Sequence, residues 1–379
     1  MEKLIKIRLH ILSPIHIGCD EVYEPTSFVI NPEKKKLISF DPLAFIKSLS
    51  QEDRKKLNEI SSKGNLSSII ELYRFIFSKR ANISGNEIDV SEDVIERYLK
   101  VKDMPLSERQ IKQELNKFVI PRTAFSPYTN LPYISGSSLK GSMRTGYLSI
   151  LAFSGGNKNG LKEFFSGKEP SASIKNRTNA FELEKELLKG EFDKDPFRLL
   201  KVSDLHPKEN VKTKIKYALN YRKNDFGSGR GIPQIFEVIE PNSTFEGTIE
   251  IQSAPKGSNI KEPLEKPLLF ASVNRHYALI YNNEINIAKK MQFQMPQVNK
   301  LVNDIKNKTG KRPFLIRMGK HSGAEAVTIE GNRKITIRER GGHKRIENES
   351  TTIWLASERL KPKNMITLQS FGWGLIEIL

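Results

Sequence analysis

Hydrophobic and charged residues alternate at the start of the chain. Between Lys3 and Leu12 the sequence KLIKIRLHIL has an apolar side chain at nearly every second position, which is the period of a half-buried strand. The segments TSFVI and KKLISF flank a turn at Asn31-Pro32 and have the composition of two further short strands. The opening of the chain is therefore predicted to be rich in β-structure.

The pattern becomes helical between residues 42 and 118. Asp41-Pro42 is typical of the start of a helix, and residues 66–79 and 91–101 carry apolar side chains at helical spacing. We interpret this block as a helical insertion. Another helix is predicted from about Leu139 to Phe153, and a polar loop over 154–198 is expected to contain one short helix.

The second half of the chain mixes both patterns. Residues 208–233 hold seven Lys and Arg but only Glu209 and Asp225 as acids, which favours a basic loop. The segments QIFEVIEP and TFEGTIEIQS alternate on either side of Pro241-Asn242 and predict a β-hairpin. A helical region then runs through Lys308, followed by the short predicted strands PFLIRMG, AVTIEG, KITIRE, TIWLA and LIEIL.

These elements indicate an α+β protein. A length of 379 residues suggests two domains at roughly 100–200 residues each. We place the first over residues 1–260, with the helical insertion at about 42–118, and the second over 261–379. Two successive α+β halves are compatible with a duplicated small fold.

The charge balance narrows the class of partner. Lys and Arg total 62 against 44 Asp and Glu, a net charge of +18, and such an imbalance favours nucleic acid. The sequence shows no signal peptide, transmembrane segment or membrane-surface helix, so no membrane partner is expected. A single cysteine, Cys19, fits a reducing, cytoplasmic setting, and no zinc motif is present, so neither a metal nor another cofactor is expected.

The segment ISGSSLKGSMR, residues 134–144, is the sharpest local feature. Glycines and serines at a strand-to-helix junction leave backbone N–H groups that attract phosphate, and Lys140 and Arg144 share one helix face. The spacing is not that of a Walker motif. The alternative is a helix capped by Ser137 or Ser138 with solvated basic residues.

Two further basic clusters follow. The first lies in 208–233 and the second in 311–345, where ten Lys and Arg stand among five glycines. Their candidate RNA contacts are Lys216, Arg222, Lys223 and Arg230 in the first and Arg317, Lys320 and His321 in the second. Each cluster alone has the alternative of a solvated surface. Tyr217, Tyr221 and Phe226 would stack on bases or belong to the core, and we expect Trp373 to be a core residue.

GSSLKGSMR resembles the G-x-S-L/I-K-G-x-x-R signature of the RAMP proteins of CRISPR effector complexes. ILSPIHIG, FEVIEPNSTFEGTIEI and the terminal FGWG are similar to further RAMP segments in the expected order. Within that superfamily, RMGKHSGAEAVTIEG resembles the family of fifth Csm subunits of type III-A complexes. The terminal FGWG is shorter than the long glycine loop of the fuller superfamily pattern.

The resemblance implies two ferredoxin-like (RRM-like) domains and a crRNA-binding subunit that caps the filament end near the crRNA 3′ part. Such a subunit supports crRNA maturation and antiviral defence, contacts the backbone RAMP subunit, recruits host nucleases and has no catalytic residues of its own. The residues carried over as crRNA contacts are Ser137, Ser138, Lys140, Gly141 and Arg144, and those of the glycine-rich loop are Gly372 and Gly374.

A different class of function stays open. An endoribonuclease of the same superfamily would cleave precursor crRNA, with Asp20 or Glu21 holding Mg²⁺ or with His16 and His321 as acid and base. The plainer interpretation is that the acids cap a turn and that the histidines are structural or contact RNA. A third possibility is a basic interaction protein whose RNA contact is incidental.

Overall fold

The computed structural model describes residues 4–104, 108–169, 173–175, 179–209, 211–229, 231–338 and 342–379. Within these ranges the chain forms strands and α-helices as follows. The strands are β1 (Ile5–Ile11), β2 (Gly18–Val22), β3 (Phe28–Asn31), β4 (Lys36–Ser39), β5 (Asn86–Val90), β6 (Pro121–Thr123), β7 (Leu200–Val202), β8 (His206–Pro207), β9 (Thr213–Arg222), β10 (Gln234–Ile239), β11 (Thr244–Ile251), β12 (Phe314–Arg317), β13 (Ile335–Arg338), β14 (Lys344–Glu347), β15 (Thr352–Ser357), β16 (Gln369–Ser370) and β17 (Trp373–Ile378). The α-helices are α1 (Pro42–Ser48), α2 (Gln51–Ser62), α3 (Leu66–Ser78), α4 (Glu92–Asp103), α5 (Glu108–Lys117), α6 (Gly136–Phe153), α7 (Lys158–Phe165), α8 (Ala180–Leu187), α9 (Lys266–Met291) and α10 (Val298–Thr309).

The first sheet has the strand order β12-β17-β1-β11-β7, with β8 beside β11. The predicted alternation of β1 is confirmed, because Ile7, Leu9 and Ile11 are buried while the residues between them are not. β1 lies antiparallel to both β11 and β17. The apolar side chains of β1 belong to one core that also includes buried side chains of α6 and α9.

The second sheet has the order β16-β15-β9-β5-β4-β3, with β10 also paired to β9. The basic loop predicted over 208–233 is wrong for its first half, because β9 is a ten-residue strand in the middle of this sheet. Ile215 and Tyr217 pack into the core while the lysines between and beside them are neutralised, Lys214 by Glu358 and Lys216 by Glu240. These acids are distant in sequence, so the strand looked like a solvated basic segment.

The hairpin predicted around Pro241-Asn242 is also wrong. Both strands exist, but β10 pairs with β9 in the second sheet and β11 pairs with β1 in the first. An alternating pattern specifies a strand and its buried face, but it leaves the pairing partner open. The predicted strand AVTIEG, residues 326–331, does not form, and its first two residues belong to a 3₁₀ turn over Ala324–Val327. The hairpin of β3 and β4 is confirmed.

The helical block contains α1 to α5, together with β5, which joins the second sheet. The predicted start of α1 is confirmed, since the carboxylate of Asp41 accepts a hydrogen bond from the backbone N–H of Ala44 at 2.6 Å. α3 and α4 occur where helical spacing predicted them, and their buried Tyr73 and Tyr98 pack against Phe28 of β3. The short helix predicted in the polar region, α8, is likewise confirmed, but the same region also contains α7, which the sequence did not predict.

The protein is α+β, as the sequence predicts. Each of the two larger sheets takes strands from both sides of residue 260, since β1 pairs with β17 and β9 pairs with β15. The division into domains at that residue stays a prediction. Among the described residues, no helix combines the length and the apolar character needed to cross a lipid bilayer.

Candidate nucleic-acid interface

The start of α6 lies beside the loop that follows β7. The N-cap is Ser135, whose hydroxyl accepts a hydrogen bond from the backbone N–H of Ser138, so neither Ser137 nor Ser138 is the capping residue. The N–H of Gly136 donates to the carboxylate of Asp204 at 2.8 Å. A Cβ at Gly136 would lie 2.4 Å from the carbonyl oxygen of Val202, so glycine permits this close approach. Two of the first N–H donors of the helix, those of Gly136 and Ser138, are therefore already engaged by groups of the chain itself.

Lys140 and Arg144 lie on the same face of α6, as their spacing predicts, but they differ in their partners. Arg144 donates to Asp195 and to Glu184, each at 2.7 Å. Lys140 donates to the carbonyl oxygen of Leu200 at 2.8 Å and forms no ion pair with any described acid. Burial, reinforced by neighbouring cations, lowers the pKa of Lys140. Lys140 therefore stays available to an anion, whereas Arg144 is largely neutralised.

These two residues line a cleft of about 680 Å³, here called the α6 cleft. Four basic side chains line it, against one carboxylate, that of Asp195. The basic residues are Lys140, Arg144, Arg198 and Lys201. Arg198 and Lys201 are exposed, and Phe192 stands at the rim with 76% of its surface exposed. The α6 cleft combines positive charge with an accessible aromatic ring, the two properties that single-stranded nucleic acid binding uses.

A second cleft of about 600 Å³ lies between α9 and β15 and is called here the interior cleft. It contains the predicted residues Lys223, Arg317 and His321. Its basic and acidic side chains are equal in number: Lys223, Arg275, Arg317 and Arg333 against Glu284, Glu325, Glu330 and Glu349. The interior cleft is therefore balanced in charge, unlike the α6 cleft.

Arg317 is part of the core at the base of the interior cleft, with its side chain only 3% exposed. Its guanidinium pairs with Glu284 and donates to the carbonyl oxygen of Phe371 at 2.9 Å. The indole N–H of Trp373 donates to the same glutamate at 3.1 Å. Trp373 is completely buried, which confirms its prediction as a core residue.

The two histidines of the nuclease alternative come together around one aromatic ring. The rings of His16 and His321 lie 4.8 and 5.1 Å from that of Phe236, centroid to centroid. Burial lowers the pKa of His16, and it lowers the pKa of His321 to about 3. Asp20 is exposed on β2. No group of three or more metal-ligating side chains occurs in the described parts of the chain.

The remaining predicted contacts lie apart from one another and differ in exposure, since Lys216 is buried and Lys320 is exposed. Three of these cations are paired with acids at 2.8–3.0 Å: Lys216 with Glu240, Arg222 with Asp225 and Lys223 with Glu325. Lys320 is exposed, with its ammonium 4.5 Å from the ring centroid of Phe236. Arg230 lies outside the described residues. The predicted contacts thus do not form one groove, and their contact with RNA stays a prediction.

The glycines of the FGWG segment have packing roles. Gly372 has a φ of +88°, and a Cβ there would lie 2.4 Å from the carbonyl oxygen of Met318. A Cβ on Gly374 would lie 2.7 Å from a methyl group of Leu9 on the neighbouring strand. Gly141, by contrast, faces open space on α6. Of these three glycines, only Gly141 leaves room for an approaching backbone.

The sequence did not identify Phe192, Arg198 and Lys201 as members of the site. They lie in FDKDPFRLLK, whose first part belongs to the segment predicted to be a polar loop. The available signal was an aromatic residue among cations, which singled out Tyr217 elsewhere. Tyr217 is instead buried in the core of the second sheet, so the pattern alone does not separate exposed from buried rings.

The chain resembles known proteins in both sequence and fold. The model of the RAMP superfamily matches residues 8–301. The chain is 25% identical over 312 residues to the "CRISPR system Cms protein Csm5" of Methanocaldococcus jannaschii, across 78% of this chain and 68% of that protein. It also shares its fold with a chain of the solved "Csm-crRNA-target RNA ternary complex in type III-A CRISPR-Cas system" at a TM-score of 0.56 and 17% identity, covering 98% of this chain and 100% of the other.

Proposed function

The chain belongs to the RAMP superfamily, and from this membership we propose that it is a crRNA-binding subunit of a type III-A CRISPR (Csm) effector complex. In this proposal it caps the filament end near the crRNA 3′ part, next to the backbone RAMP subunit, and supports crRNA maturation and antiviral defence. Recruitment of host nucleases and a cytoplasmic location belong to the same proposal. The similarity to the Csm5 relative over 78% of the chain supports it.

The observation that carries the RNA-binding part is the α6 cleft. Its basic side chains come from GSSLKGSMR on α6 and from the segment around β7, and only Asp195 opposes them. Neutralising phosphate groups with Lys and Arg supplies most of the affinity of sequence-independent RNA binding. The net charge of +18 extends the attraction to a long polyanion.

We propose that this subunit is not itself a nuclease. A metal-free ribonuclease needs a base and a protonated acid around one phosphate. His321, with a pKa of about 3, and His16, whose pKa is also lowered by burial, are both neutral near pH 7. A pair of neutral histidines packed on Phe236 lacks the acid, which favours a structural role.

The topology supports one ferredoxin-like (RRM-like) unit. β1, β7, β11 and β17 lie in the spatial order β17-β1-β11-β7, all antiparallel. With α6 after β1 and α9 after β11, this is the βαββαβ arrangement of a ferredoxin-like fold. We infer that both ends of the chain build this unit, and the second RRM-like unit stays part of the proposal.

A binding and cleavage assay tests the function. The purified protein is incubated with a 5′-labelled crRNA-like RNA over a salt series, with and without Mg²⁺, and binding and product length are measured in the same samples. We expect binding that weakens steeply with salt while the RNA stays intact. Shorter products that disappear in His16→Ala, Asp20→Ala or His321→Ala would instead support the endoribonuclease.

The position in the complex needs a separate measurement. Assembly with the backbone RAMP subunit and a crRNA, viewed by electron microscopy, should place one copy at the filament end that holds the 3′ part of the crRNA. Copies distributed along the filament, or none, would contradict the capping role. An unchanged assembly with Lys140→Ala and Arg144→Ala together would favour a protein whose RNA contact is incidental.

A further inference from the structure

We propose that the α6 cleft holds one unpaired RNA nucleotide, with its base stacked on Phe192 and its phosphate between Lys140 and Lys201. This inference rests on the proposed RNA-binding function and deepens it by naming the form of RNA recognised and the residues that contact it. Phe192, Arg198 and Lys201 are the new members of the site.

Phe192 has the surroundings of a stacking platform. The side chain is 76% exposed, at the start of a 3₁₀ turn over Phe192–Lys194. The guanidinium carbon of Arg198 lies 4.9 Å from its ring centroid. One cation covers part of the ring, and most of the aromatic surface stays open to a flat partner. Bases stack on such exposed rings without regard to sequence.

The 3₁₀ turn that carries Phe192 is held in position by contacts of the following residues with α6. Asp195 accepts a hydrogen bond from the backbone N–H of Phe197 at 2.8 Å and one from Arg144 at 2.7 Å. Phe197 is buried against Tyr147 of α6, with ring centroids 5.6 Å apart. The segment that carries Phe192 is thereby tied to α6, and a ring held in place loses little freedom on binding.

The phosphate position follows from the cations that lack a carboxylate partner. Arg144 already pairs with two carboxylates, whereas Lys140 uses one of its three N–H donors on the carbonyl oxygen of Leu200. Lys201 is exposed and lines the same cleft as Lys140, and its positive charge contributes to the lowered pKa of Lys140. Two neighbouring ammonium groups repel each other, and a phosphate between them converts that repulsion into attraction.

An unpaired nucleotide fits better than a duplex or a free anion. A base stacks on a side chain only when it is outside a helix, and the cleft volume of about 680 Å³ falls in the range of ligand pockets. The interior cleft, where charges balance, offers no comparable preference for an anion. The α6 cleft thus offers a binding surface for both parts of a nucleotide, an aromatic ring for the base and two lysines for the phosphate.

The test measures the affinity of the 379-residue chain for a single-stranded RNA, for the same RNA carrying abasic sites, and for a fully paired RNA. Phe192→Ala is compared with Phe181→Ala, which removes an exposed ring of α8 that does not line the cleft. We expect Phe192→Ala to weaken binding of the single strand about tenfold, the effect of one lost base stack. The loss should vanish with abasic and paired RNA, and Phe181→Ala should bind as the unmodified protein does.

Lys201→Ala and Phe192→Trp complete the test. Lys201→Ala should reduce the slope of log affinity against log salt by about 0.7, the value of one phosphate contact on a single strand, while Phe192→Ala should leave that slope unchanged. Phe192→Trp should keep the affinity, and its fluorescence should be quenched by the single strand. Quenching of equal size with abasic RNA would overturn base stacking at this position.

The outcomes separate this inference from the proposed function. If the unmodified protein binds no RNA, the function itself fails. If it binds and Phe192→Ala equals Phe181→Ala, the nucleotide site is overturned while the RNA-binding function stands. If Phe192→Ala keeps full RNA affinity but no longer associates with the backbone RAMP subunit, Phe192 is a protein-docking residue and the inference is wrong.

Discussion

The backbone N–H of Gly136 donates to the carboxylate of Asp204 across 2.8 Å, so the chain places its own anion at the start of α6. The positive end of a helix dipole favours a negative charge at this position. A phosphate would have to compete with Asp204 for the N–H of Gly136. In the proposed RNA-binding function, we therefore expect RNA to contact the basic side of α6, with Lys140, rather than the N-terminus of the helix.

Replacing Asp204 tests this relationship. Asp204→Ala removes an acceptor and a favourable charge at the helix start, so we expect a loss of about 1 kcal/mol in the free energy of unfolding. RNA affinity at low salt should rise, because one carboxylate at the start of α6 is gone. Denaturant unfolding and RNA titration measure the two effects. Asp304→Ala, at an exposed position of α10, is the control, and an unchanged stability would show that the contact is dispensable.

The buried pair of Arg317 and Glu284 predicts an effect on stability. Glu284→Ala leaves a buried guanidinium and the indole N–H of Trp373 without their acceptor, which should cost about 3–5 kcal/mol. Glu284→Gln keeps the shape and an acceptor oxygen, so it should be less destabilising. Thermal unfolding measures both, with Glu96→Ala on the exposed side of α4 as the control. Equal stability of all three variants would show that the pair contributes nothing.

Local periodicity correctly predicted the strands and helices whose buried side chains recur at one regular spacing along the sequence. β1 and α3 each carry a regular apolar face, and both lie where the sequence placed them. β9 was missed although Ile215, Tyr217 and Leu219 alternate along it, because the many lysines and arginines of residues 208–233 favoured a basic loop. The neutralising partners of Lys214 and Lys216 come from β10's end and from the segment after β15. A local sequence pattern cannot predict ion pairs between residues that are so far apart in the chain.

For the candidate site, too, the sequence pattern predicted local geometry but not tertiary contacts. The four-residue spacing of Lys140 and Arg144 correctly placed them on one helix face, because helix geometry alone decides it. It did not predict that Asp195 and Glu184 would neutralise Arg144, nor that Arg198 would join Lys140 across the cleft. Both follow from how β7 and the preceding turns pack on α6, which is tertiary information.

The buried histidines predict a loss of stability at acidic pH. Burial lowers the pKa of His321 to about 3, against about 6.5 in the unfolded chain. The unfolded state therefore gains a proton first as the pH falls, and protonation favours unfolding. The stabilising contribution is complete above about pH 6.5 and is lost progressively toward about pH 3, by up to about 1.4 kcal/mol per pH unit for this one group.

The variant His321→Asn isolates that contribution. Asn tolerates the positive φ of +65° at this position and does not titrate. Its stability should fall less steeply with pH between about 6.5 and 4 than that of the unmodified protein, even if it is lower at pH 8 through lost packing. Unfolding curves across this pH range measure the slope. His206→Asn, at an exposed position of β8, is the control for replacing a histidine by asparagine.

The substitution Gly141→Ala distinguishes the structural role of α6 from its proposed role in RNA binding. It lies inside the helix, and a Cβ there would meet no atom within 4 Å, so Gly141→Ala should stabilise the protein by up to about 1 kcal/mol through helix propensity. If an RNA backbone approaches α6 at this point, the added methyl group should at the same time weaken RNA binding several-fold.

Gly136→Ala is the control variant. Its Cβ would lie 2.4 Å from the carbonyl oxygen of Val202, so this substitution should destabilise the fold. Denaturant unfolding and titration with single-stranded RNA measure both quantities for each variant. A stabilised Gly141→Ala with unchanged RNA affinity would mean that RNA reaches the cleft through side chains alone, with the helix backbone at a distance.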